Sequence, residues 1–307
     1  MTASRSHQPH SAPATLNRIA PDRTGPTVLR MLLGAQLRRL REAKGITLER
    51  AGYQIRASHS KMSRIELGRV SFKDRDVADL LTLYGVTDDR ERETLCTLAR
   101  QANEQGWWHS YSDILPQWFE FYLGLERAAD RIRTYQVQFI PGLLQTVDYA
   151  RSVILLEHCD DPAEETERRV KLRMTRQKLL LEPDAPGLWA VVDDAALRRP
   201  IGGPEVMRAQ MRHLIEVAAL PNVTLQVIPF GAGGHAAAGG PFSILRFSEH
   251  DLPDVVYLEQ LTSSLYLDKR EDTDHYLAVM ERLCLEAQPA EETPAILEGM
   301  IREFADR

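Results

Sequence analysis

Cysteine is scarce in this 307-residue chain: Cys96, Cys159 and Cys284 are the full set, odd in number and widely spaced, with no CxxC pair. That argues against a disulfide framework and a thiolate zinc site, and a reducing cytoplasm is the simplest home. Long apolar runs are missing as well. None reaches the roughly 18 residues that cross a bilayer, so no membrane partner is expected. The first 26 residues hold no apolar stretch suited to a signal peptide and read as a disordered tail of Ser, Pro, Thr and His. Signatures of catalysis are absent too. There is no GxSxG, no HExxH and no P-loop, so the expectation is a chain that is not an enzyme and carries no cofactor and no metal.

What is present is an uneven charge distribution. The net charge is -6, yet Leu29–Arg69 holds ten Lys/Arg against three Asp/Glu. The residues after Arg69 hold 25 Lys/Arg against 40 Asp/Glu. A basic block joined to an acidic body suits a small phosphate-contacting module followed by a domain that does not touch nucleic acid, although solvated charge on a helical surface would look the same. The length also exceeds what one core normally supports, so two domains are expected.

The basic block reads as short helices. Leu33, Leu37 and Leu40 recur at i, i+4, i+7, with Arg38, Arg39 and Arg41 among them. Gly45 stands where such a helix would end, and Thr47 where the next would be capped. Leu48, Ala51 and Ile55 form the inner face of a second helix. Ser58 is a second cap candidate, Met62 and Ile65 the inner face of a third helix, and Gly68 its end. Gly52 is expected where the two helices cross most closely. The outer face of the third helix is then His59, Ser60, Lys61, Ser63 and Arg64, hydrogen-bonding types suited to base edges and phosphates. Val77, Leu80, Leu81 and Tyr84 predict a fourth helix, and Leu95, Leu98 and Ala99 a fifth.

The stretch Thr47–Gly68, ending in Ser63-Arg-Ile-Glu-Leu-Gly68, resembles the XRE-type, lambda-repressor-like helix-turn-helix, and Leu37-Arg-Arg-Leu-Arg-Glu-Ala-Lys-Gly45 is similar to that family's first helix. The resemblance implies a double-stranded DNA operator as partner, with Ser58, His59, Ser60, Lys61, Ser63 and Arg64 as the DNA-binding residues. It implies a structural ion pair between Arg41 and Glu66, with Gly52, Met62 and Ile65 as further structural positions. It also implies a homodimer on two half-sites. One position departs: the family usually has Gly in the turn where Arg56 stands, so either Arg56 adopts positive φ or the turn differs.

Beyond Gly106 the pattern changes. Trp107, Trp108, Tyr111, Trp118, Phe119, Phe121 and Tyr122 put seven aromatics into sixteen residues. Such density needs burial, in a second core or against a partner. Pro116–Tyr135 reads as a helix, Pro141–Thr146 as a turn into another, and Glu164–Leu181 as a charged helix. Leu188–Val192 reads as a strand and Pro204–Leu220 as an amphipathic helix. Strands follow at Val223–Pro229, Phe242–Phe247, Val255–Gln260 and Leu265–Leu267, then a helix over Asp272–Ala287. This order argues for a mixed α/β (α+β) domain. Two features invite a search for chemistry. Gly231–Gly240 is a flexible loop around His235, which reads either as a solvated residue or as part of a gate over an effector pocket. Asp193 and Asp194 follow a strand, but adjacent strand positions face opposite ways and make a poor carboxylate pair.

The pieces Gly106-Trp-Trp, Pro141-Gly-Leu-Leu-Gln-Thr, Arg176-Gln, Leu197-Arg-Arg-Pro-Ile-Gly-Gly203, Gln210-Met-Arg-His-Leu214, Val227-Ile-Pro-Phe230 and Val256-Tyr-Leu-Glu259 resemble the C-terminal domain of the actinobacterial WhiJ-like, or antitoxin-like, regulators. That resemblance implies a small partner protein encoded nearby, acting through this domain. The chain is therefore expected to be multidomain: a tail over 1–26, a five-helix DNA-binding domain over 27–104, a regulatory, partner-binding domain over 105–290 and a helical tail over 291–307. The function expected is sequence-specific transcriptional regulation, with a partner protein or effector acting on the second domain. The alternatives are an antitoxin-like protein that mainly sequesters its partner, and a ligand sensor.

Overall fold

The computed structural model describes residues 25–249 and 252–305. Most of the tail expected over 1–26 lies outside the described residues. The chain divides into two compact units, Met1–Gly106 and Trp107–Arg307. The first is all-helical and the second mixes a sheet with helices.

In the first unit, α1 (Pro26–Ala43) begins with Pro at its first position, where the missing N–H costs nothing. It is followed by α2 (Leu48–Gln54), α3 (His59–Glu66), α4 (Asp74–Leu83) and α5 (Asp89–Ala102). Three helix starts are capped by side chains: Thr47 accepts from Arg50 N, Ser58 from Lys61 N and Asp88 from Glu91 N. One core joins all five helices. Leu33, Leu37, Ala51, Met62, Val77 and Leu95 are each inaccessible to solvent within it.

The second unit is built on a six-stranded sheet in the order β3-β2-β1-β4-β5-β6. Strands β1 (Arg131–Gln136), β2 (Gly187–Asp193) and β3 (Val223–Ile228) run parallel, while β4 (Phe242–Arg246), β5 (Val255–Glu259) and β6 (Ser264–Leu267) continue as an antiparallel meander. Helix α6 (Gln117–Ala128) precedes β1. The crossover to β2 carries α7 (Val147–Glu157) and α8 (Ala163–Gln177), and the crossover to β3 carries α9 (Asp194–Arg198) and α10 (Pro204–Ala218). Helix α11 (Arg270–Glu286) lays Met280 and Leu283 on Tyr135, Val191, Ile228 and Val256 of the sheet. Leu188–Asp193 of β2 are buried except for the half-buried Trp189, as a parallel strand covered on both faces requires.

Two expectations need correction. The helix expected over Pro116–Tyr135 stops at Ala128, and Arg131–Gln136 is instead the strand that joins the parallel and antiparallel halves of the sheet. Its Arg-Ile-Arg-Thr-Tyr-Gln run alternates polar with β-branched or aromatic residues, which suits a pleated surface. The segment set apart as a tail at 291–307 is helical over α12 (Thr293–Ala305), but it belongs inside this unit. Leu297, Met300 and Phe304 are buried, and the Thr293 hydroxyl donates to Leu225 O at 2.7 Å. Residues 306–307 lie outside the described residues.

Three of the quoted motifs, at Pro141–Thr146, Arg176-Gln177 and Gln210–Leu214, meet at one polar hub. Gln177 donates to Gly142 O and Gln145 O at 2.9 and 2.7 Å. Gln210 donates to Leu144 O and accepts from Thr146 N, both at 2.7 Å. The turn at Pro141–Thr146 carries no strand or long helix of its own, so side chains from α8 and α10 satisfy its buried backbone groups. Next to Gln177 on α8, Arg176 meets Glu126 of α6 in a fork at 2.9 and 2.7 Å, with both side chains nearly inaccessible. The Arg176 guanidinium also lies over Phe119, 5.1 Å from the ring centre, and over Tyr122 at 5.6 Å. Glu126→Ala would leave that cation buried without its counter-charge, and we expect a loss of about 3–5 kcal/mol by chemical denaturation. A loss under about 1 kcal/mol would show that the pair does not brace the unit.

Candidate nucleic-acid interface

The surface of interest is the outer side of α3. Met62 and Ile65 anchor the helix from beneath, with Met62 fully buried. His59, Ser60 and Arg64 are exposed, while Lys61 and Ser63 are half-buried at its edges. Ser58 closes the first turn through its side chain, leaving the N–H groups of the first residues without a helical partner and pointing outward, the arrangement that attracts phosphate oxygens.

Several contacts hold α3 in place. Arg41 of α1 reaches Glu66 at its end through two hydrogen bonds, Nε–Oε1 at 2.6 Å and Nη2–Oε2 at 2.9 Å, and Nη1 donates to Ile46 O at 2.8 Å. The Arg41 side chain is 10% exposed and that of Glu66 4%. The bond to Glu66 raises the Arg41 pKa, while burial opposes it. The close crossing of helices is at Gly34, which the sequence pattern does not reveal. A Cβ there would stand 2.6 Å from Glu66 O and 2.7 Å from Ile65 O. Gly52 is tight for another reason than the one expected. Its Cβ would stand 2.6 Å from Ala57 O, the carbonyl of the turn between α2 and α3, so its small size serves the turn and not a helix crossing. Arg56 in that turn has φ 55°, and it is the non-glycine residue with positive φ among the described residues.

The polar residues on this face differ in how free they are. Arg64 makes no ion pair among the described residues. Lys61 Nζ lies 4.0 Å from Asp76 of α4, and His59 Nε2 lies 3.5 Å from Glu49 of α2. The last contact shows that the outer side of α2 adjoins α3. Tyr53, one turn beyond Glu49 on α2, is 87% exposed, and Gln54 and Arg56 beside it are exposed as well. The sequence pattern singles out Arg56 only for its turn and passes over Tyr53 and Gln54. A large aromatic at an outer position of a short helix otherwise buried by Ala51 and Gly52 was the available signal.

Comparison with known proteins agrees with this division. Residues 32–95 match the family model described as a helix-turn-helix domain. Residues 119–299, more than half of the chain, match the model described as a domain of unknown function (DUF5753). The chain belongs to that family. No curated protein and no solved structure matches it. An all-helical region bearing the helix-turn-helix is thus followed by a mixed α/β domain of this family.

The residues considered for chemistry in the second unit are placed differently from expectation. His235 is not a solvated loop residue. Its Nε2 lies 3.0 Å from Tyr135 Oη and 3.5 Å from Asp193 Oδ2, and its Nδ1 accepts from Ala237 N at 3.3 Å. It pins the glycine-rich loop to the carboxyl ends of β1 and β2. With Nδ1 accepting, the Nε2–H donates toward Tyr135 Oη, and burial together with the Asp193 charge pushes the pKa of the Tyr135 hydroxyl up. Asp193 and Asp194 do part company. The first caps α9 through Ala195 N and the second holds Arg198. No cluster of His, Cys, Asp or Glu able to hold a metal occurs among the described residues.

The bracing of α3 is open to test. Glu66→Ala strands Arg41 and should cost about 3–5 kcal/mol of stability in the helical unit. Amide exchange should rise across α1 and α3 first. Unchanged protection there would show that the pair does not hold the helix.

Proposed function

We propose that this protein is a sequence-specific DNA-binding transcriptional regulator and that α3 is its recognition helix. The observation that carries the reading is the face of α3 itself. A helix fixed by Met62, Ile65 and a buried arginine–glutamate fork presents His59, Ser60, Lys61, Ser63 and Arg64 outward, at the place where the chain's positive charge is concentrated. Arg64, without a carboxylate partner, is the strongest candidate for a bidentate contact to a guanine edge. Lys61 and the N-terminal N–H groups of α3, with Ser58 beside them, suit phosphates. Arg38, Arg39 and Arg50 are further candidates for backbone contacts.

Helices of this kind are used in pairs, so the operator expected is two half-sites about one helical turn apart, read by a homodimer. The second unit is the regulatory part, receiving a small partner protein or an effector. Two features support that: it has its own core, and it carries an open cleft lined by residues of α6, α7, α8 and the β5–β6 turn. A WhiJ-like or antitoxin-like role, in which sequestering a partner is the main task, rests on the motif resemblance. No helix is long and apolar enough to cross a membrane among the described residues, which fits action on DNA in the cytoplasm.

Selection from a random duplex library would yield the operator, and fluorescence anisotropy at several salt concentrations would measure binding. Arg64→Ala should lose about 1–3 kcal/mol of discrimination at one base position. Arg38→Ala should weaken all sequences alike and flatten the salt dependence. An Arg64→Ala protein that selects the same operator with the same preference would remove α3 from the reading role.

A further inference from the structure

In the second unit, the start of α6, the end of α7, the middle of α8 and the β5–β6 turn enclose a cleft of about 390 Å³. That volume falls within the range of small-molecule sites. Its walls are apolar and aromatic: Trp118, Phe119, Ile154, Leu172 and, at the rim, Leu261, which is 90% exposed. Such surface left open beside a well-packed core is unusual unless something covers it.

The polar residues in the cleft indicate what that is. Three arginines line it, and two are neutralised. Arg176 is held in the fork with Glu126, and Arg169 faces Asp161 at 3.2 Å and Glu165 at 3.8 Å. Arg173 is different. Its one hydrogen bond goes from Nη1 to the neutral amide oxygen of Gln145 at 2.9 Å, and no carboxylate stands within ion-pair distance of it among the described residues. Burial, and then the neighbouring Arg176, lower its pKa to about 10, which leaves it charged at neutral pH. A part-buried guanidinium whose one hydrogen-bond partner is a neutral amide, beside the apolar wall of a cleft, is an arrangement that an anion would relieve. Gln145 belongs to the turn clamped by Gln177 and Gln210, so the guanidinium is held from behind by a rigid support. Glu157 and Glu259 also line the cleft. Both act on Arg173 from beyond ion-pair distance and offset part of its charge, while burial pushes the Glu259 carboxyl up, toward its neutral form; a dianion is disfavoured, and one carboxylate placed directly on Arg173 is the most the cleft admits.

We propose that this cleft binds a small monocarboxylate with an apolar or aromatic body, its carboxylate on Arg173 and its body between Trp118, Phe119 and Leu172. This deepens the reading of the second unit as effector-binding and rests on that reading only for the consequence of binding.

The test uses the full-length protein and calorimetry with indole-3-propionate, 4-phenylbutyrate and decanoate. The neutral indole-3-propionamide, the cationic tryptamine and phenyl phosphate serve as charge controls. At least one carboxylate should bind. Its neutral amide should bind about tenfold more weakly or worse, as loss of a charge-assisted hydrogen bond implies. Arg173→Gln should abolish the preference of acid over amide, and Arg173→Lys should keep part of it. If Arg173→Gln does not fold, the acid–amide comparison on the unaltered protein still decides. Equal binding of acid and amide, tighter binding of the phosphate or amine, or no carboxylate binding at millimolar concentration would each overturn the proposal. So would capture of an apolar peptide regardless of its terminal charge, which would make the cleft a protein-docking groove. Operator affinity measured on the same preparation separates the two readings: intact DNA binding without carboxylate binding sinks this inference alone.

Discussion

The fork between Arg41 and Glu66 is the constraint on which the first unit depends. It joins residues 25 positions apart and ties the end of α1 to the end of α3. Without it, Met62 and Ile65 would still bury, but a helix of eight residues resting on two side chains could roll about its own axis. The carboxylate fixes that rotation, because a bidentate arginine tolerates little angular error. Gly34 completes the arrangement, letting the α1 backbone close onto the carbonyls of Ile65 and Glu66. The polar side of α3 is therefore presented at one angle, and a base-reading helix needs that before any individual contact matters.

The second unit solves a comparable problem with neutral groups. Its Pro141–Thr146 turn is buried, and a buried turn carries carbonyls and N–H groups that regular structure does not satisfy. Gln177 and Gln210 reach in from two helices to bond them, and Gln145 bonds Ile140 O at 2.7 Å while its oxygen receives Arg173. A network of amides at low dielectric is rigid when complete and weak when one member fails. The charged pair Arg176–Glu126 lies alongside. The cleft is thus floored by the least deformable part of the unit.

Much of this was legible in the chain, and the reasons for what was not are physical. Thr47 and Ser58 cap their helices within three residues of themselves, so the starts of α2 and α3 could be read locally. Arg41 and Glu66 came from the resemblance, since nothing in spacing alone pairs two residues so far apart. Gly34 sits in the interior of a helix, and its reason for being Gly is a carbonyl on another helix. Strand β1 was lost because no Gly or Pro marks the break after Ala128, and Arg127, Ala128 and Ala129 favour helix. His235 was misjudged for the same reason as Gly34. Its partners, Tyr135 and Asp193, come from strands that only the sheet brings together. The cleft was hidden altogether, because Arg173 reads as one more charge on a charged helix until its neighbours are known.

The charge distribution bears on how such a protein would discriminate between sequences. Residues after Arg69 are strongly acidic, so the chain as a whole is weakly repelled by a polyanion and attraction must come from the basic block. Acids also stand beside the outer face of α3: Asp76 of α4 near Lys61, and Glu49 of α2 near His59. A phosphate or base edge that engages Lys61 must compete with Asp76. In the proposed role, non-specific binding, which offers only phosphates, would gain little from the exchange, whereas a matched site would add hydrogen bonds to Arg64 that meet no such competition. Specificity is a difference between two affinities, and lowering the unwanted one widens it as surely as raising the other. The acidic neighbours on the α3 face are thus consistent with its proposed role, and they would place the burden of discrimination on Arg64, which makes no ion pair among the described residues.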